Sequence, residues 1–447
     1  MSRLRFDIEG KVTALSPLHV GTGDFTTIEG LSGKAGANAA PQVARIARDA
    51  MARPMIPSTA LKGVLLTLAR SLVDVSDETL EALFGTIKAE TGADDEPSGR
   101  MGAVTVFSAY RVSEAVDVSC YPYGRDGCFV AARTSIDGAS GVAANAKLFH
   151  QEMVAPGTTF GFRCRIEARG AAVASAKGHL EALLPILSAL TDENGVPVGK
   201  GQADGFGRLR LDGKSLKISQ WSLDGEGRYK DKPHPVALKA AKRRKVDGRW
   251  RLGLTCEGPF AVLDGSYQSN KGKRDKSDKE PNARAQSAGK NLPLILGSSL
   301  SGALRSRAVW LENLRRHRAG APLLDLADNE TPHAVNRLFG RTDFRGLLAI
   351  EALTVTKATE KPFTSVKIDR FSGAPIDNAL VTTQAFIGVR AVVTLALEAR
   401  GEARATEADR MLLATLIDDL RDNGLMLGHG TNKGFGWFDV TTEEING

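Results

Sequence analysis

Cysteine is scarce. The 447 residues contain four, Cys120, Cys128, Cys164 and Cys256, with no C-x-x-C pair and no histidine at metal-ligand spacing. That pattern excludes a disulfide framework and gives no support to a structural zinc site. Long apolar runs are also missing. No stretch approaches the ~18 apolar residues that span a bilayer, and the opening MSRLRFDIEGKV has no apolar h-region. A soluble, reduced, cytoplasmic protein with no membrane partner is the expectation. Nor is there a uniform excess of one charge. The formal charge is +7, but Arg228–Arg251 alone carries ten basic and two acidic residues, or +8. Lys271–Lys290 adds seven basic and three acidic, or +4, so everything else sums to −5. Two cationic segments in a near-neutral chain suggest a polyanionic partner.

What is present is ordinary globular composition, 42% hydrophobic and 25% charged, at a length for about two or three domains. The most informative feature is a repeat. RFDIEGKVTA, where Phe6, Ile8 and Val12 alternate with polar positions, is matched by RWRLGLTCEG, where Trp250, Leu252, Leu254 and Cys256 do the same. MIPSTALKGVLLTLARSL is matched by LILGSSLSGALRSRAVWL, each a small-residue turn running into an amphipathic helix. Leu61, Val64, Leu65, Leu68 and Leu72 make one stripe; Leu300, Ala303, Leu304, Ala308 and Leu311 make the other. Leu-Phe-Gly follows at 83–85 and at 338–340, then a Gly-led strand. Ile136-Asp137 stands opposite Ile368-Asp369, and Glu-Ala-Arg-Gly recurs at Glu167 and Glu398. Each copy closes on a helix and a Gly-rich turn, GKGQADGFG and GHGTNKGFG.

The fold class read from this order is α+β, as two tandem domains over 1–213 and 249–447. A basic linker, 214–248, joins them, and Pro233 and Pro235 disfavour helix or sheet there. Alternating strands with two main helices per copy suit a ferredoxin-like split βαβ core with long insertions.

The ordered set Pro-Leu-His-Val-Gly-Thr-Gly (17–23), Ile-Pro-Ser-Thr-Ala-Leu-Lys-Gly (56–63), Leu-Phe-Gly and a terminal GFG turn resembles the RAMP superfamily of CRISPR proteins. Within it, the set is most similar to the guide-RNA backbone subunit of type III effector complexes. The second copy matches through Gly-Ser-Ser-Leu-Ser-Gly (297–302), Leu-Phe-Gly and GHGTNKGFG (428–436). The resemblance implies a tandem fusion of two such subunits, each an RNA-recognition-like domain with an inserted β-hairpin thumb. It also implies guide RNA, complementary target RNA and other effector subunits as partners.

Elementary chemistry fits RNA at the same residues. Helix starts at Ser58 and Thr59, and at Ser298 and Ser299, offer backbone N–H groups to phosphate. Lys62 and Arg305 lie one turn in and can add charge. Gly21, Gly23 and the GFG turns let an RNA backbone approach without a Cβ in the way. His19 and the cations inside the repeated motifs, Arg133, Lys200, Lys367, Arg370 and Lys433, complete the RNA-binding set. The competing reading of each motif alone is a helix cap or a turn. The run Lys242-Arg243-Arg244-Lys245 reads as an RNA or subunit contact, or as a solvated linker.

In family members that cut target RNA, a loop aspartate acts with a divalent metal, Mg²⁺. The aspartate position falls near Val43 and Pro281 here, and neither is acidic. Asp24, just after the GTG turn, and Asp278 are the chosen catalytic and metal-holding candidates. Asp264 and Asp275 are weaker ones, and Glu29, Asp49 and Glu280 stand nearby. Asp137 and Asp369 precede Gly-rich hairpin sequence and suit turns or guide contact. His19 is a further candidate for general acid–base cleavage, although the second copy has Ala261 there. Three functions remain open: a backbone subunit that cleaves target RNA, the same scaffold without catalysis, and a metal-independent guide-processing endoribonuclease.

Overall fold

The structure, a computed structural model of the chain, describes residues 4–27, 42–87, 99–136, 143–167, 173–223, 226, 228–240, 242, 246–267, 281–289, 291–325, 333–341, 343–399 and 403–445. It is mixed α/β in two regions. The first half runs through β1 Leu4–Ala14, β2 Gly21–Thr27, β3 Gln42–Ile46, β4 Met55–Ile56, α1 Ser58–Arg70, α2 Asp77–Phe84, β5 Gly85–Ile87 and β6 Gly99–Met101. It continues with β7 Val104–Val106, β8 Ala109–Arg111, β9 Cys128–Ile136, β10 Ala143–Val154, β11 Thr159–Glu167, α3 Val173–Ala189, β12 Val196–Pro197, β13 Arg208–Leu223 and β14 Tyr229–His234.

β1 sits at the centre of the main sheet, ordered β12-β13-β1-β11-β8-β4, with β14 beside β13 and β7 beside β11. Its alternation explains that place. Leu4, Phe6, Ile8, Val12 and Ala14 are buried, whereas Glu9 and Lys11 are exposed. The expected α1 stripe, Leu61 to Leu72, is buried against this sheet with Leu180, Leu183 and Leu187 of α3. α2 begins where Ser76 accepts from the Thr79 N–H and ends at Gly85, with φ 85°. A second sheet, β2-β3-β10-β9, stands apart from the first.

The second half runs through β15 Gly248–Cys256, β16 Ala283–Arg284, α4 Gly297–Arg318, α5 Ala334–Phe339, β17 Leu348–Ile368, β18 Pro375–Leu397, α6 Glu407–Asn423, β19 Leu425–Met426 and β20 Trp437–Glu444. Its sheet is ordered β16-β18-β15-β20-β19, with β17 beside β18. Leu300, Leu304 and Ala308 of α4 are buried as the stripe predicts, and Ala303 and Leu311 pack on the same core. Thr406 and Asp409 form a reciprocal cap at the start of α6. Arg337 reaches the same Asp409 at 2.9 Å, fixing α5 to α6.

The segment expected as an open linker is structured. β13 runs on to Leu223, with Leu216 and Ile218 in the first core, and β14 pairs with it, Pro233 opposite Ser219. β14 lies at the sheet's edge, the place in a sheet where proline is tolerated. Val236 and Leu238 pack on the same core, and the His234 ring stands edge-on to Phe6 at 5.5 Å. Val73 donates to the Lys242 carbonyl. The prolines therefore shape an edge strand rather than a free tether. Arg243, Arg244 and Lys245 lie outside the described residues.

The halves touch directly. Phe129, Met153 and Phe206 of the first pack with Leu294 and Leu296 of the second. Arg208, buried, donates to the Ile350 carbonyl at 2.8 Å, and Arg345 donates to the Gln202 side chain. Among the described residues, no helix is long and apolar enough to cross a membrane.

Candidate nucleic-acid interface

The Gly-rich turn is built identically in both halves. Val198 donates to the Gly207 carbonyl and Leu427 to that of Gly436, each at 2.9 Å. Gly207 donates to Pro17 and Gly436 to Pro259, each at 2.8 Å. A Cβ on Gly207 would lie 1.8 Å from the Val198 oxygen, and one on Gly436 1.8 Å from the Leu427 oxygen. Both also have positive φ, so only glycine fits twice over. Leu-Phe-Gly has a similar cause. The glycine opening the next strand, Gly102 or Gly346, passes so close that a Cβ would be 2.4 Å from the Leu83 or Leu338 oxygen. These motifs recur because the chain's own backbone demands them.

The predicted residues divide into those the protein occupies and those it leaves facing solvent. His19 is 3% exposed, and its Nδ1 hydrogen-bonds the Glu152 carbonyl at 2.7 Å. Burial holds its pKa below the usual imidazole range; the Glu152 bond opposes that, and nearby Lys200 adds to it. A Cβ on Gly21 would lie 2.7 Å from His19 Nε2, so that glycine accommodates the ring. Arg133 on β9 pairs with Asp204 of the turn at 2.7 Å and lies over Phe149 and Phe206. Arg305 donates to the Gly340 carbonyl at 2.6 Å and to Asn336 at 2.9 Å, and burial lowers its pKa. Its donors thus brace α4 against α5.

Solvent-facing are Thr59 on the first turn of α1 and Lys62 on the second, Lys200, Ser299, Lys367, Arg370 and Lys433. Ser58 and Ser298 are partly exposed, and Gly23 has φ 91° with open space where a Cβ would stand. The Ser58 N–H is taken by Ser108 Oγ at 3.1 Å, leaving Thr59 and Ala60 at the helix start without an intrahelical carbonyl. α4 begins one residue before the expected serines, at Gly297, which is buried beneath the first half's turn.

The carboxylates are similarly sorted. Asp24 is exposed on β2, its backbone N–H bonded to Thr22 Oγ1. Asp264 accepts from Ser266 N at 2.8 Å and Ser266 Oγ at 2.5 Å, which commits it to a turn. Asp49 closes another turn with Met51 and Arg53. Asp369 accepts from the N–H groups of Phe371 and Ser372 at the end of β17, and the Ser372 bond lowers its pKa. Asp278, Asp275, Glu280, Glu29 and Asp137 lie outside the described residues. Among the described residues, no group of three or more His, Cys, Asp or Glu could hold a metal. A lone carboxylate such as Asp24 fits Mg²⁺ only in the mode in which substrate phosphates supply most other ligands. The four cysteines are free; burial pushes the Cys128 thiol up to about 12 and Cys256 to about 11, far from a thiolate nucleophile.

The sequence reading missed an apolar surface. Two hairpins, β9–β10 and the outer part of β17–β18, carry large apolar side chains into solvent. Leu148 and Leu380 occupy matching positions and are each 61% exposed. Beside them Phe149, opposite Arg133 in the ladder, and Val381, opposite Ser365, are also exposed. Val366, Ile368 and fully exposed Phe371 extend the second surface, with Lys367 and Arg370 among them. Exposed apolar side chains interleaved with cations suit the faces and phosphates of single-stranded nucleic acid. Breaks in alternation, such as Leu148-Phe149, were the available signal.

The family model described as RAMP superfamily matches residues 11–210 and 243–439, one region in each half. No curated protein matches the chain.

Proposed function

The chain belongs to the RAMP superfamily, and we propose that it is a guide-RNA-binding backbone subunit of a type III CRISPR effector complex, formed by tandem fusion of two ferredoxin-like RAMP domains. Family membership supports a CRISPR-associated RNA-binding role; the finer reading rests on the duplicated hairpins. Each hairpin presents exposed apolar side chains, Leu148 and Phe149 or Leu380 and Val381; the second adds solvent-facing Lys367 and Arg370, and in the first Arg133 lies over Phe149. In this reading the hairpins act as thumbs against a guide–target duplex, and the other effector subunits flank the chain.

Two observations order the catalytic alternatives. His19 is buried and spends Nδ1 on a backbone carbonyl, which argues against a metal-independent processing enzyme built on it. Asp24 is the described candidate whose carboxylate faces solvent on the sheet that carries the first hairpin. Target cleavage assigned to Asp24 would have Mg²⁺ held between that carboxylate and the RNA, supplying charge stabilisation at the phosphate. Without it the chain is a scaffold.

One experiment separates these readings. Full-length protein is titrated with labelled single-stranded RNA, then loaded with guide and given complementary RNA with Mg²⁺ or chelator. Phe149→Ala weakens binding about tenfold. Replacing Lys367 and Arg370 with glutamine lowers the salt slope by about 0.7 per cation. Binding unchanged in both variants defeats the hairpin reading. Asp24→Ala abolishes a Mg²⁺-dependent cut if cleavage is assigned correctly; intact target with the unaltered chain leaves the scaffold alone standing.

A further inference from the structure

The contact between the halves is head-to-tail. The first half contributes the turn 201–207 and Arg208; the second contributes the start of α4 with Gly297, the strand residue Ile350, and Arg345. Such a contact leaves one complementary surface unused at each end of the molecule, and repeated by further copies it would build an open filament. At one end lies the second half's own turn, 430–436, with its flanking strands. Its environment differs sharply from that of the first. Phe206 is buried in the contact between the halves, whereas its counterpart Phe435 is half-buried against Phe363 of its own half. Thr431, Asn432, Lys433 and Gly434 are exposed, and nothing stands within 4 Å of where a Gly434 Cβ would be. Arg208 is buried against Ile350; its counterpart Trp437 is 49% exposed, next to exposed Met426 across the ladder.

At the other end, the first half's equivalent of the receiving surface cannot accept this turn. A Cβ on Gly297 would lie 1.7 Å from the Asp204 carbonyl oxygen, so the contact requires a residue with no side chain at the start of the helix. Ser58 occupies that place in the first half, at the start of α1. Arg345, which donates to Gln202, is replaced by Met101, aligned by the glycines at 102 and 346. Opposite, Gln202, Asp204 and Arg208 give way to Thr431, Lys433 and Trp437. A second copy of this chain would therefore meet a steric block at Ser58 and would lose the polar contacts at the other two points.

We infer that the edge formed by Met426, residues 430–436 and Trp437 docks a different protein, one whose receiving helix starts with glycine, and that Ser58 prevents this chain from occupying its own edge. The occupant is a chain with the chemistry of the Gly297–Ile350 surface: a helix start without a Cβ and an apolar strand for Trp437. An acidic side chain there would suit Lys433, which stands where the first half has Asp204. The inference rests on the contact between the halves and does not depend on the RNA-binding reading.

The test converts the receiving surface of the full-length chain. By sedimentation velocity the unaltered protein, free of RNA, remains monomeric up to roughly 100 μM. The variant Ser58→Gly with Met101→Glu, which offers an acidic side chain to Lys433, forms concentration-dependent oligomers, and it binds the unaltered chain one to one when that chain is in excess. Adding Trp437→Ala to the converted chain returns it to monomer. Each variant is checked for an unchanged thermal midpoint, and Ser58→Ala, which keeps the Cβ, is the folded control that must stay monomeric. Open oligomers of the unaltered chain that Trp437→Ala dissolves would overturn the inference, because a second copy would then be the occupant. A converted chain that stays monomeric would also overturn it. So would loss of RNA binding in Trp437→Ala with assembly unaffected, which would make the edge a nucleic-acid contact.

Discussion

The same turn, held by the same hydrogen bonds, is buried in one half and open in the other. Gly201–Gly207 lies against Gly297 and Ile350, while residues 431–434 of the second turn face solvent and Phe435 packs on its own half, against Phe363. The repeated glycines are therefore explained by contacts within each half and not by what the turn binds. What differs is the set of side chains around that shared backbone. Asp204 and Arg208 serve an internal contact, and Lys433 and Trp437 point outward in their place. The two halves present one backbone surface, and different side chains at a few positions give it different surroundings.

The comparison can be broken most severely at the helix starts. Gly297→Val places a side chain where even a Cβ has no room and should destabilise the chain by about 3 kcal/mol, read by denaturant unfolding. Ser58→Ala, its counterpart, should stay within about 0.5 kcal/mol. Similar losses at both would mean that the halves are not packed as described. The next contrast is Arg208→Ala against Trp437→Ala. The first leaves the Ile350 carbonyl buried without its charged donor and should cost about 2 kcal/mol, and the second should cost little.

The smallest effect is a pH dependence confined to one half. Burial lowers the pKa of His19 in the folded state, so the unfolded chain binds its proton first as pH falls. Its contribution to stability is complete above the ordinary imidazole pKa of about 6.5 and declines as pH falls from there toward the folded value. His19→Gln should flatten that part of a stability profile taken between acid and neutral pH. Ala261 in the second half has no such proton to bind. A profile unchanged by the substitution would show that His19 is not held neutral.

Local patterns were the legible part of this molecule. The stripe in α1 and the alternation in β1 follow from local periodicity and were found where expected. The Leu-Phe-Gly and Gly-rich motifs were visible through their repetition, although the contacts that require their glycines, such as Gly207 to Pro17, are remote in sequence. Contacts made across the fold were not legible. Arg305 reads as a cation placed for phosphate until α5 brings Asn336 and Gly340 against it. Gly297 opposite Ser58 reads as an unremarkable exchange of small residues until the Asp204 oxygen is seen beside it. The exposed hairpin faces were missed because apolar residues in strands are expected to be buried. Of the proposed aspartates, Asp264 reads as a weaker catalytic candidate until Ser266 is seen to give its carboxylate two hydrogen bonds in a turn.

β14 changes the meaning of the cationic stretch that begins at Arg228. An outer strand is an open row of backbone donors and acceptors, and a chain built from several sheets is at risk of joining its neighbours along such rows. Here that row carries Lys230, Lys232 and Pro233, all exposed. Lysines repel an approaching copy, and a proline has no N–H to offer it. Part of the basic charge thus lies along an edge strand, where it opposes indiscriminate strand addition to the first half's sheet.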